Sequence, residues 1–201
     1  MLMLLNRSQT KGFTIVELLI VIVVIAILAT ITIVAFNGIQ DRAKNARLVA
    51  AVDAYEKMIR MYKIDHGGIV PALSGSAVLP YVCLGDGYEA TSVFSENTCY
   101  KYITMSNGAD DYVAVNNALR AYSETLPSVG DIEVHVSVGA YSVDTRGIFY
   151  YKLNDTTAQL AYFSNGDGDC ARGVKTGFAS DGSYADEDER VAYTMCEVTI
   201  G

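Results

Sequence analysis

Residues 11–36 read KGFTIVELLIVIVVIAILATITIVAF, and this stretch decides how the whole chain is organised. It contains no charged residue from Leu18 to Phe36. As an α-helix, that run spans about 28 Å, close to the thickness of the hydrocarbon core of a bilayer. Arg7 and Lys11 precede it, and a long, more polar sequence follows it. The position of these basic residues predicts a cytoplasmic N-terminus and an exported C-terminal part.

Glu17 is the acidic residue of this stretch, and it lies at the very start of the apolar run. A carboxylate that enters a membrane is costly, so it marks a functional site by default. A secretory signal peptide fits less well, because the apolar run is longer than a usual signal region and no small-residue cleavage site follows it. A simple membrane anchor fits the length of the run but gives Glu17 no role.

The segment from Lys11 to Ile20 resembles the prepilin recognition sequence of type IV pilins and type II secretion pseudopilins. In that family, a membrane peptidase cuts after the glycine and methylates the new N-terminal residue. The resemblance therefore implies cleavage between Gly12 and Phe13. It also implies a role for Glu17 in assembly, where its carboxylate pairs with the Phe13 ammonium group of a neighbouring subunit. Pairing with Phe13 of the same subunit is the alternative.

A second pattern begins after Gly38, where apolar residues recur at spacings of three and four. These residues are Leu48, Val52, Tyr55, Ile59 and Tyr62. The spacing predicts an amphipathic helix that ends at the glycines after His66. We therefore predict a cleaved leader at residues 1–12, one long helix at 13–66 and a globular head at 67–201. Within the helix, residues 13–39 form the membrane or filament-core half, and residues 40–66 form the amphipathic half.

The rest of the chain predicts a mixed head. Residues 67–108 and 165–190 have the composition of loops, and residues 109–125 favour a short helix. Alternation at 132–138 indicates a half-buried strand, residues 146–153 and 157–164 a hairpin, and residues 191–200 a closing strand. The predicted fold class is therefore α+β and pilin-like, with a long N-terminal helix whose second half packs on a small antiparallel β-sheet.

The chain has four cysteines, namely Cys83, Cys99, Cys170 and Cys196. Their spacing does not suit a zinc site, and an even number in an exported chain favours disulfides. Four cysteines allow three connectivities. We favour the sequential pairing, Cys83–Cys99 and Cys170–Cys196, in which each bond closes a short loop and contributes about 3 kcal/mol on the loop-entropy account.

Signs of catalysis are few in this sequence. His66 and His135 have no nucleophile motif around them, and no phosphate-binding or dinucleotide fingerprint occurs. We therefore predict a protein that is not an enzyme. The formal net charge of −8 disfavours nucleic acid as a direct ligand of this subunit.

One candidate metal site and one candidate modification site stand apart from this pattern. Asn165, Asp167 and Asp169 alternate with glycines, like the beginning of a calcium-binding loop, although residue 176 is a threonine where an EF-hand has glutamate. A solvated acidic turn is the alternative. No other cofactor is expected. Separately, Asn154-Asp155-Thr156 matches the N-glycosylation pattern.

The resemblance implies a structural subunit that polymerises with other pilin subunits into an extracellular pilus for adhesion, twitching motility or DNA uptake. Its partners would be the prepilin peptidase and methyltransferase, an inner-membrane assembly platform and an assembly ATPase. Before assembly, the subunit would lie in the cytoplasmic membrane with its N-terminus inside. One alternative is a minor pilin, or a pseudopilin of a type II secretion or competence apparatus. Another is a membrane-anchored binding protein or enzyme that does not polymerise.

Overall fold

The structure is a computed structural model that describes residues 14–73, 81–85, 88–91, 99–102, 113–127, 129, 132–138, 141–166, 168–180 and 192–201. The chain divides into two compact units, one ending at Gln40 and the other beginning at Asp41. The elements, in chain order, are α1 (Ile15–Asp65), β1 (Tyr81–Leu84), β2 (Tyr100–Tyr102), α2 (Val113–Leu119), β3 (Glu133–Val138), β4 (Tyr141–Arg146), β5 (Ile148–Lys152), β6 (Ala158–Asn165), β7 (Val174–Ser180) and β8 (Ala192–Ile200). This confirms the predicted α+β class.

The strands of the second unit form two antiparallel sheets. The larger sheet has the order β1-β5-β6-β8-β7, and the smaller has the order β2-β4-β3. The β5–β6 hairpin is the centre of the larger sheet, where Ile148 pairs with Tyr162 and Lys152 pairs with Ala158. Strand β8 pairs with the whole of β6 on one side and with β7 on the other. The C-terminal strand therefore lies inside the sheet, and β7 forms an edge.

The part of α1 that belongs to the second unit forms one wall of the main core. Its buried residues follow the predicted spacings and are Leu48, Ala51, Val52, Tyr55, Met58 and Ile59. They cluster with residues from one face of the larger sheet, including Leu84, Ile148, Leu160 and Ile200. The second half of the helix therefore covers the sheet, because only one of its faces is apolar.

The opposite face of the larger sheet carries a second, smaller core. Successive side chains of a strand point to opposite faces. Along β5, Ile148 and Tyr150 belong to the main core, whereas Phe149 packs with Cys83, Tyr88 and Cys99. Both faces of β5 are therefore buried, which explains its continuous apolar sequence.

Helix α1 ends with hydrogen bonds that its two following glycines allow. Gly67 has a φ of 64°, a left-handed conformation that suits glycine. The Gly68 amide then donates to the carbonyl oxygen of Lys63 at 2.7 Å, which is the bonding of a Schellman cap. The glycine stop predicted after His66 therefore ends the helix at Asp65.

The loop predictions were wrong in two places. Strands β1 and β2 lie inside residues 67–108, and β7 lies inside residues 165–190. Strands β1 and β2 are short and pair with β5 and β4, which are distant in sequence. Strand β7 lies at an edge of the larger sheet and pairs with β8, the next strand along the chain. The single predicted strand at 146–153 also differs, because Gly147, with a φ of 84°, separates β4 from β5.

Candidate functional site

The described chain begins with a helix cap made by Thr14 and Glu17. Oε2 of Glu17 accepts hydrogen bonds from the Thr14 amide and the Thr14 hydroxyl, each at 2.8 Å. In return, the amide of Glu17 donates to Oγ1 of Thr14 at 3.2 Å. This is a capping box, in which two backbone donors at a helix start are satisfied reciprocally. Gly12 and Phe13, the predicted processing residues, lie outside the described residues.

The helix that follows this cap presents apolar side chains to its surroundings over its whole circumference. Residues from Ile15 to Thr32 form a segment long and apolar enough to cross a membrane, and none of it is buried within the protein. Ile25, for example, is 58% exposed. An apolar surface of this extent marks a membrane-contacting or protein-contacting segment.

Two threonines inside this apolar segment satisfy their hydroxyl groups on their own helix. Oγ1 of Thr30 donates to the carbonyl oxygen of Ala26 at 2.6 Å, and Oγ1 of Thr32 donates to that of Leu28 at 2.7 Å. Neither hydroxyl therefore needs water or a neighbouring chain. The segment stays compatible with an apolar environment despite these polar residues.

In the second unit, an ion-pair network joins α1 to the loop that follows β6. Nε of Arg172 lies 2.8 Å from Oδ1 of Asp53, and its Nη2 contacts Oε2 of Glu56. Glu56 also accepts from Nε of Arg60 at 2.9 Å. Burial raises the pKa of the Glu56 carboxyl, but the hydrogen bonds and charges of Arg60 and Arg172 outweigh it and hold the pKa below its usual value.

A second contact fixes the beginning of this part of α1 to the end of β6. The Asn45 side chain bonds to both backbone groups of Asn165, with its Nδ2 donating at 3.0 Å and its Oδ1 accepting at 2.9 Å. Nδ2 of Asn165 in turn donates to Oδ1 of Asp41 at 3.3 Å. The last residue of β6 therefore bonds to the helix through its main chain and its side chain.

The candidate calcium residues lie in the turn after this contact. Asn165 uses its amide nitrogen on Asp41, Asp169 is exposed, and Asp167 lies outside the described residues. Within the part of the chain that is described, no three acidic, histidine or cysteine side chains come together as a metal site would require. Calcium binding at Asn165, Asp167 and Asp169 stays a prediction.

The four cysteines form two disulfides in the second unit. Cys83 bonds to Cys99 and Cys170 bonds to Cys196, with Cα–Cα distances of 6.0 Å and 5.7 Å. The first lies in the smaller core, and the second joins the loop after β6 to β8. The loop that carries Arg172 is thus held to the sheet by a covalent bond and to α1 by ion pairs.

The two histidines have different surroundings. Nδ1 of His135 lies 2.6 Å from Oδ1 of Asp144, its cross-strand partner on β4. The His66 ring stacks on Tyr62 with 3.7 Å between ring centroids, and its Nδ1 lies 2.9 Å from the Tyr62 carbonyl oxygen. Both rings are thus held by local structural contacts.

The roles of three residues, Thr14, Arg172 and Asn45, were not predicted from the sequence. Thr14 could have been found, because Thr-x-x-Glu before an apolar run is the sequence pattern of a capping box. Arg172 and Asn45 carry no such signal, because their partners are distant in sequence.

Comparison with known proteins finds similarity in the N-terminal segment of the chain. Residues 7–33 match a family profile described as the prokaryotic N-terminal methylation motif. The type II secretion system core protein G of Klebsiella michiganensis is 34% identical over 62 residues, which are 31% of this chain and 44% of that protein. The core protein G of Escherichia coli (strain K12) is 34% identical over 59 residues, which are 29% of this chain and 41% of that protein.

A relative with a different name matches a longer stretch. The prepilin peptidase-dependent protein D of Escherichia coli (strain K12) is 31% identical over 73 residues, or 36% of this chain and 50% of that protein. The chain therefore spans half or less of the length of these relatives. No solved structure matches it. Residues 7–33 therefore carry a prepilin-type N-terminal methylation motif, and the N-terminal segment of the chain is similar to that of type II secretion pseudopilins.

Proposed function

We propose that this chain is a pilin-like structural subunit that is cut between Gly12 and Phe13, methylated at Phe13 and polymerised into a helical filament. The observation that carries the proposal is the exposed apolar helix from Ile15 to Thr32, which begins within the methylation motif at residues 7–33. Such a surface requires an apolar environment, and lipid or a bundle of identical helices supplies one.

The capping box suggests how Glu17 takes part in assembly. Only one of its carboxylate oxygens, Oε2, bonds to Thr14. Cleavage after Gly12 leaves Thr14 in place and creates an ammonium group on Phe13. Oε1 of Glu17 is then available to the Phe13 ammonium group of a neighbouring subunit, so that neither charge stays unpaired in an apolar bundle. The helix cap and the assembly contact can therefore exist at the same time, because they use different oxygens of Glu17.

Among filament subunits, we favour a type II secretion pseudopilin over a surface type IV pilin. The relatives named core protein G belong by name to a type II secretion system, and this supports the pseudopilin assignment. The subunit would lie in the cytoplasmic membrane before assembly, with its head exported. The prepilin peptidase, an assembly platform and an assembly ATPase would be its partners. If the chain is instead a type IV pilin, its expected functions are adhesion, motility or DNA uptake.

The first experiment measures the intact mass and the N-terminal residue of the protein from source cells, in membranes and in sheared filaments. We expect a species that begins at N-methylated Phe13. An uncut chain confined to membranes would overturn the proposal in favour of an anchored binding protein or enzyme. Deletion of the gene separates the two filament types, because loss of secreted proteins indicates a pseudopilin and loss of abundant surface filaments indicates a type IV pilin.

The variant Glu17→Ala then tests assembly, with the exposed Glu124→Ala as its matched control. We expect Glu17→Ala to be cut normally but to enter filaments poorly, whereas Glu124→Ala assembles as the parent does. A normal filament yield from Glu17→Ala would remove Glu17 from the assembly mechanism.

A further inference from the structure

The turn between β5 and β6 places the Asn154-Asp155-Thr156 pattern on the surface of the second unit. All three residues are exposed, and the side chain of Asp155 is 82% exposed. The turn is closed by the amides of Leu153 and Asn154, which both donate to the Thr157 carbonyl oxygen, at 3.0 Å and 3.1 Å. The side chains at this hairpin tip are therefore accessible to solvent.

The side chains within this turn have a specific arrangement. Oδ1 of Asn154 accepts two hydrogen bonds from Thr156, one from the amide at 2.9 Å and one from the hydroxyl at 3.0 Å. Among the described residues, Nδ2 of Asn154 has no hydrogen-bond acceptor. The carboxamide oxygen is therefore held by two donors, while its nitrogen faces solvent.

This arrangement favours chemistry at the nitrogen. When a carboxamide loses a proton from nitrogen, negative charge develops on its oxygen. Donors that already point at that oxygen stabilise the charge without reorganisation. The Thr156 amide and hydroxyl occupy that position toward Oδ1 of Asn154, so they lower the barrier to using Nδ2 as a nucleophile.

We propose that Asn154 is the acceptor of an N-linked glycan, and this rests on the proposed export of the head. Nδ2 of Asn154 forms a bond to the anomeric carbon of a lipid-linked pyrophosphate oligosaccharide. The bond between that carbon and the pyrophosphate oxygen breaks, Nδ2 loses one proton, and the lipid pyrophosphate leaves. The Thr156 hydroxyl acts on this reaction only through Oδ1, as a positioning group.

Other asparagines of the sequence provide contrasts. Asn165 is followed by Gly166 and Asp167, so it lacks the hydroxyl residue two positions later, and its side chain already donates to Asp41. Asn6-Arg7-Ser8 fits the pattern but lies in the predicted leader, on the cytoplasmic side. Neither residue should carry a glycan.

The test is mass spectrometry of the reduced, trypsin-digested protein from source cells. Cleavage after Lys152 and Arg172 releases residues 153–172, which contain both Asn154 and Asn165. We expect this peptide to be heavier by one oligosaccharide, with fragmentation placing it on Asn154. Thr156→Ala should abolish the modification, Thr156→Ser should retain it, and the neighbouring Thr157→Ala should leave it unchanged.

Two negative outcomes are distinguishable. A protein that begins at Phe13 but has an unmodified Asn154 overturns the glycan proposal and leaves the filament proposal intact. An uncut and unmodified chain contradicts both. A glycan that persists in Thr156→Ala would show that the hydroxyl does not position the amide.

Discussion

The two halves of α1 contain the same kinds of apolar residue, but those residues have opposite surroundings. In the first unit, Ile25 is 58% exposed, whereas in the second unit Ile59 is fully buried. The first half is apolar around its whole circumference and therefore has no face that prefers water. The second half has one apolar face, which the sheet covers. The distribution of apolar residues around a helix, rather than their number, therefore separates an apolar surface that stays exposed from one that packs in the core.

The largest test of this comparison replaces one isoleucine in each half by alanine. Ile59→Ala should lower the free energy of unfolding by about 4 kcal/mol, because it removes buried methylene groups and leaves a cavity. Ile25→Ala should change it by less than about 0.5 kcal/mol. Denaturant unfolding of the full chain in detergent, followed by tyrosine circular dichroism, measures both. Equal effects of the two variants would contradict the division of α1.

Removal of the Cys170–Cys196 disulfide is the next largest perturbation. Cys170→Ala with Cys196→Ala should lower the free energy of unfolding by about 3 kcal/mol, because the loop between them is no longer closed in the unfolded chain. The loss should appear in the tertiary signal of the head, while the helical signal of residues 15–32 stays unchanged. A loss of that helical signal would mean that the disulfide also stabilises the apolar half of α1.

The two glutamates of α1 give a matched pair with a smaller effect. Glu56→Gln should lower the free energy of unfolding by about 2 kcal/mol at neutral pH, because charged hydrogen bonds to Arg60 and Arg172 are weakened. Glu17→Gln should leave head stability unchanged, since glutamine also completes a capping box. Unfolding experiments on the full chain measure the difference.

The pH dependence sharpens this prediction. The pKa of Glu56 is lowered in the folded protein, so the unfolded chain takes up the proton first as the pH falls. The stability contributed by Glu56 is therefore complete above its usual pKa of about 4.3 and is lost as the pH falls below it. Glu56→Gln should reduce the loss of stability at acid pH. If the loss of stability at acid pH is the same in this variant, other carboxylates cause it.

The smallest expected effect concerns the segment that follows α1. The hydroxyl of buried Tyr150 donates to the Pro71 carbonyl oxygen at 2.7 Å. Tyr150→Phe should lower the free energy of unfolding by about 1 kcal/mol, the usual net value of one hydrogen bond. Tyr122→Phe is the control, because its hydroxyl bonds to Asp65 at an exposed position and should matter less. An equal loss of unfolding free energy in both variants would mean that burial does not determine how much the hydrogen bond contributes to stability.

Much of the fold could be predicted because its signals are local. The spacing from Leu48 to Ile59 identified the buried face of α1, and the alternation at 132–138 identified β3. Strands β1, β2 and β7 could not be found in this way. Strands β1 and β2 are short, and their pairing with β5 and β4 depends on residues far away in sequence. Strand β7 pairs with the next strand, β8, but it lies at an edge of the sheet and inside residues 165–190, which have the composition of a loop.

The candidate site likewise contains some features that the sequence predicts and others that only the fold creates. The sequence alone determined the apolar helix, the methylation motif at residues 7–33 and the position of Glu17, because each is a property of consecutive residues. Only the tertiary structure placed Arg172 between Asp53 and Glu56 and paired Asn45 with Asn165. The physical reason is that these contacts join residues whose proximity is created by the packing of α1 on the sheet or by strand pairing, and no local pattern encodes it.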